Sequence, residues 1–492
     1  MRSWLGRIGA GLRKIGRELF RFRRDGSFHA TVLGIHILPA RRLAELLTIA
    51  SGGGTEVLSE SGFVPARPRK PSVLFLHHCY YNYYYLAKAL RARGWDAVSL
   101  SVDAPDSPDA KFWHGEDLVI HEPDNRIFKQ KMDQFLEDNG NRFGMVQFCG
   151  MGRMSLFPDH WDTTPEFNKV PWDFLAFKQR GVKIGYTSSG CLDGIRQSSF
   201  RDWSGGACDK CMWETRPDVC SDLKNTAWGH KVASTVDLYA TEGNPRLDYQ
   251  GMDFCYSEPL TQAIDADFWS LDLAIPEQYR IDRKPGEIIV VHSVGNFETR
   301  ADATRNIKGT PAVVRAIENL QRDGIPIRLA FFKDVPSRDM RFIQAQADIV
   351  VDQLNFGRYG STSREALMLG RPVVCNIRPG EPAGQPQLVS LAQSPIQHAD
   401  EISIEAALRR LAADTALRHQ IGLNSRAFAE QWFEKDACAA RFEDVYAGLH
   451  NGETAFDIQK RHQAAWAEAM TLDGETDTTM TRTPKSQSES PS

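Results

Sequence analysis

The stretch Asp352–Ile377, DQLNFGRYGSTSREALMLGRPVVCNI, reads as loop, helix, turn and strand in succession. Gly357 and Gly360 punctuate the loop. Ser361 and Thr362 stand where a helix starts, and Ala366, Leu367 and Leu369 give that helix an apolar side. Gly370 fits its end, Pro372 stops it, and Val373-Val374 opens a buried strand. A helix N-terminus behind a glycine loop presents backbone N–H groups and a partial positive charge, so it suits a phosphate. Gly360, Ser361 and Thr362 are its contact candidates. Glu365 lies about one turn into the helix, too far in to cap it.

A second stretch, Gly286–Leu320, reads GEIIVVHSVGNFETRADATRNIKGTPAVVRAIENL. Ile288–His292 is a short apolar strand, followed by a polar loop, then Lys308-Gly309-Thr310-Pro311 and a helix with Val313, Ala316, Ile317 and Leu320 on its apolar face. Thr310 is suited to cap that helix and Pro311 to its first turn.

In this order the two stretches resemble the donor site of retaining GT-B glycosyltransferases of the group 1 type. Glu365-Ala366-Leu367 and Gly370-Arg371-Pro372-Val373-Val374 match that family's helix and strand signatures, and Lys308-Gly309 matches the pair that opens the first helix of its C-terminal domain. The resemblance implies an α/β fold of two Rossmann-like parallel-sheet domains facing a cleft. It implies a nucleotide-sugar donor, with Glu365 on the ribose and Lys308 neutralising the diphosphate together with Arg300 or Arg305. It implies no catalytic metal. The family places a further glutamate on the donor sugar; here Gly357 holds that position and the carboxylate is absent. Two rival readings are a GT-B-like protein that binds a nucleotide or glycan without transfer, and a nucleotide-sugar epimerase.

Upstream, Val73–Leu76 reads as a buried strand, and His77-His78-Cys79-Tyr80-Tyr81-Asn82-Tyr83-Tyr84-Tyr85 leads into a helix that Gly94 ends before the strand Ala97–Leu100. That is a βαβ unit, and the loop at the carboxyl end of its first strand is where such sheets place their sites. His77, His78 and Asn82 are therefore candidates to face an acceptor. Further strands at 144–148, 182–186 and 238–241 alternate with helical patterns at 127–136 and 172–179, as a parallel sheet requires. The organisation expected is a basic segment 1–50, a Gly/Pro/Ser linker 51–70, an acceptor domain 71–256, a crossover 257–285, a donor domain 286–450 and a terminal helix and tail 451–492.

Between 190 and 220, Cys191, Cys208, Cys211 and Cys220 follow the pattern C-x16-C-x2-C-x8-C and supply four of the nine cysteines. Four thiolates with one C-x-x-C pair suit a closed structural zinc site, ahead of an iron–sulfur cluster. By the resemblance this insertion begins at a loop facing the cleft, which makes Gly190 and Asp193 cleft candidates.

The composition, 42% hydrophobic and 25% charged over 492 residues, is that of a globular chain of two or three domains. A net charge of −4 gives no general case for a nucleic-acid partner. No apolar run is long enough to span a bilayer, and the N-terminus lacks a signal peptide's apolar core. Residues 1–24 pair many arginines with Trp4, Ile8, Leu12, Ile15 and Leu19 at helical spacing, a basic amphipathic helix suited to an anionic membrane surface. Thr471–Ser492, nearly devoid of apolar residues, is expected to be disordered. The chain is thus expected in the cytoplasm, peripheral on the inner face of the membrane, moving sugar onto a glycan or lipid-linked acceptor in surface polysaccharide synthesis.

Overall fold

Short apolar runs become parallel strands wherever a helix follows to cover them, and this happens twice along the chain. The computed structural model describes residues 21–22, 27–29, 71–150, 154–157, 169–241, 248, 253–300, 305–378 and 387–479. The first sheet has seven strands: β1 (Ser72–Leu76), β2 (Asp96–Ser101), β3 (Leu118–Val119), β4 (Met145–Cys149), β5 (Lys183–Ser188), β6 (Leu238–Thr241) and β7 (Cys255–Tyr256). Their order is β3-β2-β1-β4-β5-β6-β7, all parallel. The second sheet has five: β8 (Ile288–Val294), β9 (Ile327–Lys333), β10 (Ile349–Val351), β11 (Val373–Cys375) and β12 (Gln397–His398). Their order is β9-β8-β10-β11-β12, again all parallel. The α/β class with two parallel sheets is therefore as expected.

Each order reverses once, between β1 and β4 in the first sheet and between β8 and β10 in the second. Loops leaving the carboxyl ends of strands diverge there and open a crevice, the usual place for a ligand in such sheets.

Burial on both sides explains the continuous apolar strands: β1, β4 and β8 are buried along their whole length. Helix Asn82–Ala92 covers the first sheet with Tyr83, Tyr85, Leu86 and Leu90, and Gly94, at φ +87°, ends it. Helix Thr310–Arg322 covers the second with Ala312, Val313, Ala316, Ile317 and Leu320. Its N-cap is Gly309 in a left-handed conformation, so Thr310 is the first helical residue and not the expected cap. The Thr310 hydroxyl pairs instead with His292 Nε2 at 2.9 Å, while Asn306 Oδ1 accepts from Gly309 N at 2.9 Å.

The chain returns to the first sheet at its end. Helix Lys435–His450 lies against helix Asn82–Ala92. Phe442 meets Phe75 and Trp95 with ring centroids 5.5 and 6.1 Å apart, and Tyr446 meets Trp95 at 4.6 Å. Backbone bonds of 2.8 Å tie Ile264 to Phe433 and to Lys435.

Two expectations about the termini change. Arg21–Phe22 forms a strand, pairing with Ser27–His29, which pairs in turn with Lys169–Pro171, so the basic helix does not continue to residue 24. Residues 1–20 and the linker 51–70 lie outside the described residues. The last helix runs Ala455–Thr479, so 471–479 is helical where disorder was expected; residues 480–492 are not described. Among the described residues no helix is long and apolar enough to cross a membrane.

Candidate functional site

Asp352 is the first residue after β10, at the crevice of the second sheet, and it organises what surrounds it. Its carboxylate is wholly buried and accepts from Gly360 N at 3.1 Å and Ser363 Oγ at 2.6 Å. Lys308, on the loop after β8, forms a buried ion pair with it and reaches Thr362 Oγ1 at 3.5 Å. Burial opposes the charge on Asp352, but the Lys308 ammonium and these donors outweigh it and hold the carboxyl below its usual range. The two stretches that carried the sequence argument therefore meet at one carboxylate. Lys308, expected as a free phosphate ligand, is already paired.

Glu365, one turn further along helix Ser361–Met368, is as deeply buried but meets the first sheet's loop. Tyr81 donates its hydroxyl to Glu365 Oε1 at 2.5 Å. Tyr81 is packed by Trp269 and His114, with ring centroids 5.1 and 4.3 Å away. Burial pushes the Glu365 carboxyl up to about 7, against the lowering effects of Tyr81 and Arg364. His114 makes a second bridge between the two sheets' loops: Nδ1 pairs with Tyr85 OH and Nε2 with Ser337 Oγ, both at 2.9 Å. Burial lowers its pKa to about 3, so it is neutral near pH 7.

Gly357 explains the missing glutamate. Its φ is +90°, and a Cβ there would lie 2.8 Å from Arg378 Cγ and 2.9 Å from the Trp203 ring. The space a side chain would take is filled by Trp203, from helix Gln197–Ser204 of the cysteine-rich insertion. Trp203 also stacks under the Arg358 guanidinium, 4.6 Å away, and its carbonyl accepts from Arg378 Nε at 2.9 Å. Ile195, Phe200 and Ala207 of the insertion join Ile307 and Phe356 of the second half in one apolar cluster.

The remaining candidates fall into three groups. His77 and His78 line a cavity of about 260 Å³, together with Cys79, Cys149, Ser189 and Asn296. Its walls thus come from the crevice of the first sheet and from the loop after β8. His78 stacks on Trp113, with centroids 3.9 Å apart, and pairs with Ser101 Oγ at 2.9 Å. Asn82 and Asp193 are inside the fold. Asn82 begins its helix, with its amide 3.9 Å from Cys79 Sγ. Asp193 accepts from Tyr186 OH, Ser189 N and Trp228 Nε1 at 2.6, 2.6 and 3.1 Å, a structural hub whose pKa burial raises to about 6. Gly190 borders open space.

Of the two arginines, Arg300 closes the one-turn helix Phe297–Arg300. Arg305 turns into the insertion, donating to Cys191 Sγ at 3.2 Å and lying over the Trp213 ring at 4.9 Å. Cys191, Cys208, Cys211 and Cys220 do line one cavity, but no grouping of three or more ligands among the described residues is tight enough for a metal ion. The expected zinc site therefore finds no support among the described residues, and Arg305 and apolar side chains share the space that the four cysteines border. Burial, followed by the neighbouring thiols, pushes Cys208 up to about 12 and Cys220 up to about 11.

Asp352 and Trp203 had no role in the sequence reading, and Tyr81 entered it only within a tyrosine cluster that could face an acceptor. For Asp352 a signal existed, a carboxylate directly after an apolar run and before a glycine loop. Tyr81 and Trp203 act on residues far along the chain, and nothing local marks them.

No family model matches the chain, and no curated protein matches it. Among solved structures it is similar to HepE of Anabaena in complex with UDP and glucose, with 11% identity, a TM-score of 0.46, and coverage of 77% of this chain and 100% of that one. A glycosyltransferase of Rickettsia africae gives 11%, 0.45, 77% and 99%. Sucrose-phosphate synthase of Thermosynechococcus elongatus gives 12%, 0.46, 78% and 100%.

Proposed function

We propose that this protein is a glycosyltransferase that takes a sugar from a nucleotide-sugar donor and passes it, with retention, to a glycan or lipid-linked acceptor in surface polysaccharide synthesis. The observation that carries the reading is the shared cavity. The loops at the crevices of two parallel sheets open on one space, with His77 and His78 on one wall and Asn296 on the other. Donor and acceptor bound to opposite sheets would meet there, and closure would keep out the water that otherwise takes the sugar.

In this reading the diphosphate lies at the N-terminus of helix Ser361–Met368, where backbone N–H groups and the helix dipole stabilise the growing leaving-group charge. Lys308 acts through its pair with Asp352, fixing Gly360 and Thr362, and Glu365 meets the ribose once Tyr81 yields. The basic segment 1–24 fits an acceptor presented at an anionic membrane face.

A second reading, a nucleotide- or glycan-binding protein without transfer, is favoured by one observation: Trp203 fills the space beside Gly357 where the resemblance places a sugar-binding carboxylate. Incubating the protein with UDP-, GDP-, ADP- and CMP-sugars and following nucleotide release separates the two. Slow hydrolysis of one donor is the expected result. Donor binding without any release would favour the second reading, and no binding in the panel would overturn both.

A further inference from the structure

Two cysteines outside the insertion meet at the crevice of the first sheet. Cys149 is the last residue of β4 and Cys79 lies on the loop after β1, so the pair spans the point where the strand order reverses. Their buried Sγ atoms are 2.6 Å apart. That is nearer to a covalent S–S bond, about 2.05 Å, than to the roughly 3.5–4.0 Å at which non-bonded carbon atoms rest.

The backbone on both sides holds the sulfurs there. His77 N donates to Leu100 O at 3.0 Å and Asn82 N to Cys79 O at 3.1 Å, which seats the loop. Gly150 N donates to Thr187 O at 3.3 Å, which seats the end of β4. The loop bends sharply to bring Cys79 in: His77, Cys79 and Tyr80 have φ of 65°, 47° and 60°. Side-chain-bearing residues enter that region at a cost, so the fold keeps the two sulfurs together against local preference. Both cysteines also line the cavity of about 260 Å³ that His77, His78 and Asn296 share, which gives a small reagent a way in.

We propose that Cys79 and Cys149 form a site of reversible oxidation, which closes to a disulfide on reaction with a low-molecular-weight disulfide. One of the two thiols gives its proton to solvent, and its sulfur attacks a sulfur of the small disulfide. The S–S bond of the reagent breaks, one small thiolate leaves, and a mixed disulfide remains on the protein. The second cysteine, deprotonated in turn, attacks the protein-side sulfur of that bond and expels the other small thiolate. Both thiolates take up protons, so two protein thiols are oxidised and one small disulfide is reduced. The bond links positions 70 apart and ties the segment carrying His77 and His78 to β4. The oxidised chain thus has one wall of the shared cavity fixed, and a small thiol in excess frees it again. The site does not rest on the transfer reading.

Cystamine is a suitable reagent. Full-length protein, reduced and then incubated with it under native conditions, is alkylated and digested. It should yield a peptide pair with Cys79 joined to Cys149, two hydrogens lighter than the separate peptides. Dithiothreitol should restore both thiols, and Cys255→Ser should form the same pair. Of Cys79→Ser and Cys149→Ser, one should keep a cysteamine group on its remaining sulfur, which marks the thiol that reacts first. Wild-type protein that carries cysteamine on either residue without the cross-link would overturn the proposal. So would both thiols unchanged after prolonged incubation, a result that stands even if the serine variants fail to fold. The cross-link is read by mass and not by nucleotide release, so its absence and the failure of the transfer reading are distinguishable.

Discussion

Helix Ser361–Met368 meets two buried carboxylates, Asp352 of the preceding loop at its N-terminus and its own Glu365, and the two behave in opposite ways. At its N-terminal end Asp352 meets an ammonium, a hydroxyl and a backbone N–H, and its pKa falls. On its inner side Glu365 meets one phenol, and its pKa rises to about 7. Depth does not separate them, since Asp352 is 0% and Glu365 4% exposed. The number and charge of the partners decides. The N-terminal end is a fixed electrostatic joint, and the flank facing the other sheet is a carboxyl poised near neutrality.

The strongest way to break the contrast is to take the cation from the joint. Lys308→Met should destabilise the fold by about 3–5 kcal/mol, because Asp352 is left charged and buried without its partner. Replacing Asp352 by asparagine in the same chain should recover much of that loss, as a double-mutant cycle in urea would show. An additive pair would mean that the two groups are not coupled.

Glu365→Gln tests the other side. Its folded pKa lies above its ordinary value, so the folded form holds a proton that the unfolded chain has lost. The cost of ionising it in place is absent below about pH 4.5, grows as pH rises through about 7 and is complete above that, reaching roughly 3 kcal/mol. The glutamine variant, which keeps an acceptor for Tyr81, should therefore melt higher than wild type at pH 8 and about equally at pH 4. The same melting difference at both pH values would show that Glu365 does not titrate there.

Gly357→Ala sharpens the comparison at the loop between the two carboxylates. A β-carbon at φ +90° and 2.9 Å from Trp203 should cost about 1–3 kcal/mol in thermal unfolding. Pairing it with Trp203→Ala should relieve the steric part and leave the backbone part. Smallest is Arg93→Ala. Its pair with Glu443 joins helix Asn82–Ala92 to helix Lys435–His450 at 2.6 Å, but both side chains are more than a third exposed, so the loss should stay under about 1 kcal/mol and shrink with salt.

Much of the fold was legible because its rules are local. Gly94 and Gly370 marked helix ends, Pro372 a stop, and apolar runs the strands of both sheets. Helix Ser361–Met368 was legible for the same reason. What packs against it was not. Tyr81 and Glu365 are separated by 284 positions, and Trp203 reaches Gly357 only because an insertion folds across the cleft. The cysteine spacing told that four sulfurs would share a space, but spacing along a chain does not fix how closely they converge. Thr310 fitted the cap rule and failed it because Gly309 takes the left-handed turn and frees the threonine for His292.

The return of helix Lys435–His450 to the first sheet has a consequence for synthesis. Phe75 on β1 and Trp95 beside β2 are made long before Phe442 and Tyr446, which cover them. Over the interval between them the nascent first sheet therefore shows an apolar face to its surroundings. That face is a surface for holdase chaperones until residues 435–450 emerge, and a chain cut short before residue 435 keeps it open permanently.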